Sequence, residues 1–308
     1  MANSSAIKGY AAGILAAGLY GTNPLFAVPL YGMGMHAEQV LFWRYLTAIP
    51  IMALMMISRN ESFRIATVRQ GMLLAAAGIL VGISSATLFM AYNYMDVGIA
   101  STLLFLYPVM VALIMTVCYR EKITKLTALC LAGTLAGIAL LGKTSAGVPL
   151  SLAGMLLVGA SSLSYALYIV GANRSALRDI SPMKVIFYVL VFGITVFAIP
   201  MAVKGTFEIP TGTIGWLNVL GLALFPTALS FWLTTVSIQH IGPTRAAILG
   251  AFEPITGVLI SVCVFGGILS PREVSGVILV LLSVTVLTSG PLLRHYLSAV
   301  RHRMHPRA

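Results

Sequence analysis

Charge is scarce in this chain. Only 9% of its 308 residues are Asp, Glu, Lys or Arg, against about 25% in a soluble domain, and no stretch is polar enough for long enough to form a separate water-soluble domain. Acids are scarcest: eight, against nineteen Lys and Arg, for a net charge of +11. Such an excess can signal nucleic acid. Here, however, the basic residues form short clusters that flank apolar runs, the pattern that orients membrane proteins, so no nucleic-acid partner is expected. The three cysteines, Cys118, Cys130 and Cys263, sit in apolar runs without disulfide or metal-ligand spacing and read as buried thiols. His240, His295, His302 and His305 fall at or beyond the ends of apolar runs and read as solvated. There is no phosphate-cradling glycine loop and no room for an ATPase domain. An intramembrane enzyme would need paired acids, a histidine-pair zinc site or an activated serine; the runs hold one central acid. No metal, cofactor or catalytic activity is expected.

What the chain has instead is apolar length. It is 59% hydrophobic, with a mean hydropathy of +0.97, and ten apolar runs can be drawn: 7–30, 40–57, 71–92, 98–117, 126–141, 150–170, 185–203, 214–236, 243–265 and 274–287. A bilayer core of about 30 Å takes roughly 20 apolar residues per helical crossing, so the expected fold is an all-α polytopic membrane protein of ten transmembrane helices. The first run is longer than the apolar part of a signal peptide and reads as a retained span. With the N-terminus inside, fifteen Lys and Arg fall on inside segments and three on outside ones, Lys143, Lys204 and Arg272. The basic bias therefore predicts both termini on the cytoplasmic side of a bacterial-type inner membrane, with the basic tail, residues 291–308, against anionic headgroups or solvated. Trp216 and Tyr31 are expected near the outer interface.

The pair Glu253-Pro254 lies within one of these runs. A carboxylate at membrane depth is expensive and faces a cavity or a partner. The proline removes an amide donor and frees the carbonyl four residues back, at Gly250, which protein or water must then satisfy. A single offset of 146 sets Pro108 on Pro254, Ala100 on Ala246, Leu103 on Leu249 and Ser84 on Ser230, and places Tyr107 opposite Glu253. The chain thus divides into 1–146 and 147–290. With five runs in each half, the second is inverted relative to the first, and inverted repeats with prolines in matching helices point to alternating access around a midplane site.

Several segments carry a resemblance: Leu19-Tyr20-Gly21-Thr22-Asn23-Pro24, Arg44, Tyr107-Pro108, Glu253-Pro254, and Glu121 to Thr124 followed by Cys130 and Gly137. On these the chain, from about Ala11 to Thr288, resembles the drug/metabolite transporter superfamily, in particular its EamA-type members. It departs from the family pattern where Arg120 precedes Glu121, at Cys130, where the family has glycine, and at Gly267, which replaces the acid in the second repeat. The resemblance implies two inverted five-helix EamA repeats, a cavity between spans 1, 3, 4, 6, 8 and 9, and secondary-active export of amino acids or other small metabolites. Drug or quaternary-amine efflux and metabolite exchange are alternatives on the same fold. Lipid scrambling or a non-transport scaffold is the alternative class.

The candidate substrate-binding residues are Glu253, Tyr20, Asn23, Arg44, Ser84, Tyr107, Ser161, Ser164, Tyr165, Tyr168, Ser230 and Trp232. Glu253 would pair with a substrate amine or carry a coupling proton. Arg44 would meet a substrate carboxylate, snorkel outward or pair with Glu38. The serines and tyrosines suit an aromatic-lined pocket with a few oriented polar groups, or join helices by hydrogen bonds. Pro108, Pro226 and Pro254 are candidate hinges or kinks. Gly133-x-x-x-Gly137 permits close helix approach, within one chain or in a dimer. The partners expected are a small-molecule substrate and the lipid bilayer, with a monomer as the simplest state.

Overall fold

The computed structural model describes residues 2–120, 125–141, 151–241, 249–250, 252–266, 268–283 and 285–286, and among these it holds helices, turns and loops but no strand. The helices are α1 (Ala2–Tyr20), α2 (Asn23–Gly32), α3 (Ala37–Ser58), α4 (Val68–Ala91), α5 (Val97–Leu104), α6 (Tyr107–Tyr119), α7 (Lys125–Leu141) and α8 (Leu152–Arg174). They continue with α9 (Pro182–Gly193), α10 (Thr195–Lys204), α11 (Gly212–Ala223), α12 (Ser230–Ile241) and α13 (Phe252–Phe265), and then α14 (271–283). A π-helical turn, Leu224–Leu229, joins α11 to α12. Among the described residues, six stretches are long and apolar enough to cross a membrane: Ile7–Gly32, Ala37–Ser58, Val68–Ala91, Leu152–Ala172, Pro182–Val203 and Gly212–Thr234. The other four apolar runs of the sequence form shorter helices or reach into residues outside the described set. Also outside it lie Glu121 to Thr124, Arg245, Gly267 and the basic tail 291–308.

Local chemistry sets the helix ends. Thr67 Oγ1 accepts from the Gln70 amide (3.2 Å) and Gln70 Oε1 accepts from the Ala66 amide (3.2 Å), which satisfies donors that the start of α4 would leave open. Ser151 does the same for α8, accepting from Gly154 N at 3.4 Å.

Packing repeats itself. The two most extensive helix pairs are α1 with α12 and α4 with α8. Under the offset of 146, α1 corresponds to α8 and α4 to α11–α12, so the two pairs are images of each other. Each carries a serine that donates to a backbone carbonyl across it: Ser230 Oγ to Ala16 O (2.9 Å) and Ser161 Oγ to Ser84 O (2.7 Å). Small residues let helices meet where no hydrophobic force drives them together. A Cβ on Gly82 of α4 would come within 2.9 Å of the Gly193 carbonyl of α9, and one on Gly137 within 2.9 Å of the Gly276 carbonyl of α14. The Gly133-x-x-x-Gly137 face is thus occupied within the chain, against Ser283, Val280 and Gly276.

The largest buried cluster, with Leu30, Leu41, Met52, Phe89, Leu190, Phe197, Met201 and Leu222, joins α2, α3, α4, α9, α10 and α11. At one end Phe42, Trp43, Phe207 and Trp216 stack edge to face, with centroids 5.0 to 6.2 Å apart, and Trp43 Nε1 donates to Glu208 O at 2.8 Å. Large apolar side chains such as Val117, Leu129 and Val203 are exposed, as expected of a surface that meets lipid tails. Two of the expected buried thiols are corrected here: Cys118 and Cys263 are exposed. In a bilayer an apolar position has two homes, the packed interior and the lipid face, and hydropathy does not separate them.

Candidate functional site

The centre of the bundle is built around four prolines. Each lacks an amide donor and therefore frees the carbonyl four residues earlier. Buried in a membrane, that carbonyl must find another donor, and here each does. Pro24 frees Tyr20 O, which accepts from Asn23 Nδ2 at 2.7 Å. Pro108 frees Leu104 O, which accepts from Ser162 Oγ at 3.1 Å. Pro226 frees Leu222 O, which accepts from Thr227 Oγ1 at 2.8 Å. Pro254 frees Gly250 O, which accepts from the Glu253 amide at 2.9 Å. Pro108 lies in the first turn of α6 and Pro254 in the first turn of α13, where a missing donor is least disruptive. The matching run of each half is thus interrupted ahead of its proline, at Phe105–Leu106 in the first half and at Gly250 in the second. Pro29, Pro50 and Pro200 are instead accommodated within α2, α3 and α10.

These interruptions bring polar groups together. Gly21, in the turn between α1 and α2, packs so closely on α13 that a Cβ would lie 2.6 Å from the Glu253 carbonyl. Glu253 is half-buried, and no hydrogen bond or ion pair to its carboxylate is found among the described residues. Arg44 of α3 is 2% exposed. Its Nε donates to Thr227 Oγ1 at 2.8 Å, and the guanidinium lies over the Phe89 ring, 5.6 Å from its centroid. Its two terminal nitrogens make no hydrogen bond among the described residues. Glu253 and Arg44 are electrostatic neighbours of each other and of Tyr20. Tyr107 and Tyr165 also feel the Glu253 charge, and their rings meet edge to face with centroids 5.0 Å apart. Tyr165 continues to Tyr168 at 5.8 Å, and Tyr20 stacks on Phe231 at 6.1 Å. A carboxyl group and a guanidinium, with no ion pair to either among the described residues, therefore share a tyrosine-rich centre fed by both halves of the chain.

The remaining sequence candidates divide by what they touch. Ser84, Ser161 and Ser230 are buried and hydrogen-bonded between helices; they join α4 to α8 and α12 to α1. Asn23 Oδ1 is buried with no partner among the described residues, although its amide nitrogen holds Tyr20 O. Ser164 is half-buried on α8 beside Tyr165. Trp232 lies toward the Arg59 end of α3, its ring 5.5 Å from the Arg59 guanidinium carbon, and its Nε1 is buried without a partner among the described residues. Gly257 closes on α5: a Cβ there would stand 3.5 Å from Ser101.

Four central residues were not among the candidates. Tyr45 shares a hydrogen bond with Ser85 (2.9 Å). Tyr92 is hydrogen-bonded to Ser101 and senses both Glu253 and Arg44. Thr227 positions Arg44, and Phe89 underlies it. For Thr227 the signal lay in the sequence, a hydroxyl directly after a mid-span proline. For Tyr45 it was adjacency to Arg44. Tyr92 sits at the end of its apolar run and Phe89 inside one, and neither position marks them.

A bundle of apolar helices interrupted at its centre, with a carboxyl group and a guanidinium held between two related halves, is the construction of a multi-pass membrane transporter. The chain matches the EamA-like transporter family twice, over residues 7–143 and 152–289. It belongs to that family, and with it to the drug/metabolite transporter superfamily. It is 29% identical over 192 residues to a protein of Archaeoglobus fulgidus described as an uncharacterized transporter, a match covering 62% of this chain and 67% of that one. A solved crystal structure shares the fold at 20% identity, with a TM-score of 0.65, over 96% of this chain and 99% of its own.

Proposed function

We propose that this EamA-family transporter is a secondary-active exporter of amino acids or closely related small metabolites. One arrangement carries the reading: a buried guanidinium with unused donors, Arg44, and a half-buried carboxylate, Glu253, inside tyrosine walls. A zwitterion presents complementary ends. Its carboxylate suits the planar fork of a guanidinium, and its ammonium suits a carboxylate and the faces of aromatic rings.

The transport cycle follows from the repeat. Ten spans form two inverted sets of five, and the site between them opens alternately to each side by rocking of one set against the other. Interruption at Phe105–Leu106 and at Gly250, in equivalent runs, supports this. So do the image pairs α1–α12 and α4–α8. The basic bias of fifteen residues against three sets both termini on the cytoplasmic side of an inner membrane. The protein works as a monomer, its Gly133 and Gly137 face being taken by α14. Net movement draws on a gradient, with Glu253 as the group that exchanges a proton for, or with, the substrate amine.

The test is flux of a broad amino acid panel in proteoliposomes. Movement of at least one class, abolished in Arg44→Gln, is expected; no flux from folded protein overturns the reading. Quaternary-amine efflux is the second reading, favoured by Tyr20, Tyr107 and Tyr165 in reach of the Glu253 charge. In that case Arg44→Gln retains transport and Glu253→Gln loses it.

A further inference from the structure

Away from the centre, a groove of about 580 Å³ runs between α4 and α9, lined by Ile65, Thr67, Val68, Met72, Ala75 and Phe192 among others. Its volume is that of a ligand site, roughly 300 to 1,000 Å³, but it opens sideways. Val68 and Met72 are 82% and 69% exposed on its wall, and in a membrane that exposure is to acyl chains. Phe192 lies ten residues into α9 and Ala75 seven residues past Val68 in α4. At 1.5 Å per helical residue the groove reaches about 10 to 15 Å along the helices, well into hydrocarbon.

Its foot is basic and rigid. The loop from Arg59 to Thr67 lies across the start of α9. Ser181 Oγ donates to Glu61 Oε2 (2.6 Å), Lys184 Nζ to Arg64 O (3.1 Å), and Tyr188 OH to Phe63 O. Phe63 packs edge to face on Phe187 with centroids 5.2 Å apart. Thr67 and Gln70 fix the start of α4, and the positive end of that helix dipole points at the same place. Arg64 and Arg69 flank the groove residues Ile65 and Val68 in sequence and are exposed. Glu61, the acid of this loop, is already engaged by Ser181.

We infer that this groove is a binding site for an anionic glycerophospholipid, with the phosphate at Arg64, Arg69 and the start of α4 and one acyl chain along Val68, Met72, Ala75 and Phe192. Charge decides the headgroup, because two arginines and a helix N-terminus repel a choline and attract a lone phosphodiester. The apolar wall decides that the ligand is a lipid and not a free phosphate. A bound lipid would brace the α4–α9 contact against which the central helices move.

The test is native mass spectrometry of the full-length protein in detergent, with dioleoyl phosphatidylglycerol or dioleoyl phosphatidylcholine added at equal concentration. Wild type should retain the glycerol lipid in clear excess. Each basic residue near a headgroup is worth about fivefold in binding, so Arg64→Gln with Arg69→Gln should lower phosphatidylglycerol retention roughly thirtyfold and bring the two lipids level. Ala75→Phe, which fills the groove without touching the charges, should also lower retention. Glycerol 3-phosphate at millimolar concentration should not compete. Equal retention of both lipids by wild type overturns the proposal. An unchanged double variant, an unchanged Ala75→Phe protein, or competition by glycerol 3-phosphate likewise overturns it, the last two by reducing it to headgroup adsorption.

Discussion

Two adjacent serines on α8 offer a test of how the centre is held together. Ser161 Oγ donates to Ser84 O at 2.7 Å and Ser162 Oγ to Leu104 O at 3.1 Å, both fully buried. By length alone the Ser161 bond is the stronger. The accounting of acceptors reverses that order. Ser84 lies in the middle of α4, so its carbonyl keeps its own intrahelical donor; the group that loses a partner in Ser161→Ala is the Ser84 hydroxyl, 3.1 Å from Ser161 Oγ, and a helical serine hydroxyl can turn to the carbonyl four residues back in its own helix. Leu104 O has lost its helical donor to Pro108, and in Ser162→Ala it is left bare. Both changes gain the same helix propensity, so that contribution cancels. Interhelical hydrogen bonds in membranes average about 0.6 kcal/mol and reach about 1.7, whereas a buried polar group left unsatisfied costs about 1 to 3 kcal/mol. Ser162→Ala should therefore be less stable than Ser161→Ala by about 1 kcal/mol. Reversible unfolding in mixed micelles with increasing sodium dodecyl sulfate measures the difference. Ser162→Thr, which keeps the hydroxyl, should recover most of it. Equal stabilities, or Ser161→Ala as the weaker protein, would refute the claim that the proline-freed carbonyl depends on Ser162.

Arg44→Lys keeps a charge but loses the planar fork; hydrogen bonds to charged groups are worth about 1.5 to 3 kcal/mol, so half-saturation of amino acid flux should rise about 10- to 100-fold. Thr227→Val leaves the charge in place but removes the acceptor for Arg44 Nε and the donor to Leu222 O. It should weaken substrate binding and stability together, and unchanged flux and unchanged unfolding would sink it. Glu253→Gln, assayed for flux across a pH series, should flatten whatever pH dependence the wild type has; a preserved profile would exclude Glu253 as the proton-carrying group. Gly82→Val forces a side chain onto the Gly193 carbonyl and Val196 and should cost about 1 to 3 kcal/mol by overpacking. Gly159→Ala, with nothing within 4 Å of its Cβ, should be neutral or gain up to about 1 kcal/mol from helix propensity. Melting temperatures in one detergent compare the two glycines.

Much of the architecture was legible because the bilayer limits the choices. A run such as Val68–Ala91 has no alternative to a helix, and Pro108 and Pro254 at a fixed offset mark equivalent interruptions. The placement of side chains around each helix was less legible. Cys118 and Cys263 lie in apolar runs and yet are exposed, because the lipid face and the core share one chemistry. Ser84, Ser161 and Ser230 carried the same polar signal as Tyr107 and Tyr165, yet join helices while the tyrosines gather near Glu253. A serine hydroxyl reaches only as far as the next backbone and is readily used there. A tyrosine hydroxyl stands well away from its own helix and can reach across a space. Arg44 was the most ambiguous residue from sequence, with three fates open, and what decides its position is Thr227, nearly two hundred residues later in the chain.

That dependence shows how backbone repair and charge placement are one problem at this centre. Asn23, Thr227 and Glu253 each adjoin the proline whose freed carbonyl they satisfy, and each has capacity left over. Thr227 accepts from Arg44, and among the described residues neither Asn23 Oδ1 nor the carboxylate of Glu253, which repairs the backbone with its amide, has a partner. A proline placed to break a membrane helix therefore does more than bend it. It requires a polar neighbour at a depth where polar groups are otherwise excluded, and that neighbour can then face a solute. Ser162 is the exception, since it repairs Leu104 O from the other half of the chain and is consumed in doing so. The α5–α6 break is thereby tied to α8, while the breaks beside Pro24, Pro226 and Pro254 are satisfied locally. Local satisfaction leaves a helix free to shift without exposing a bare carbonyl. On the cycle proposed above, the segments carrying Asn23, Thr227 and Glu253 are the ones expected to move against α8, with α5 and α8 travelling together.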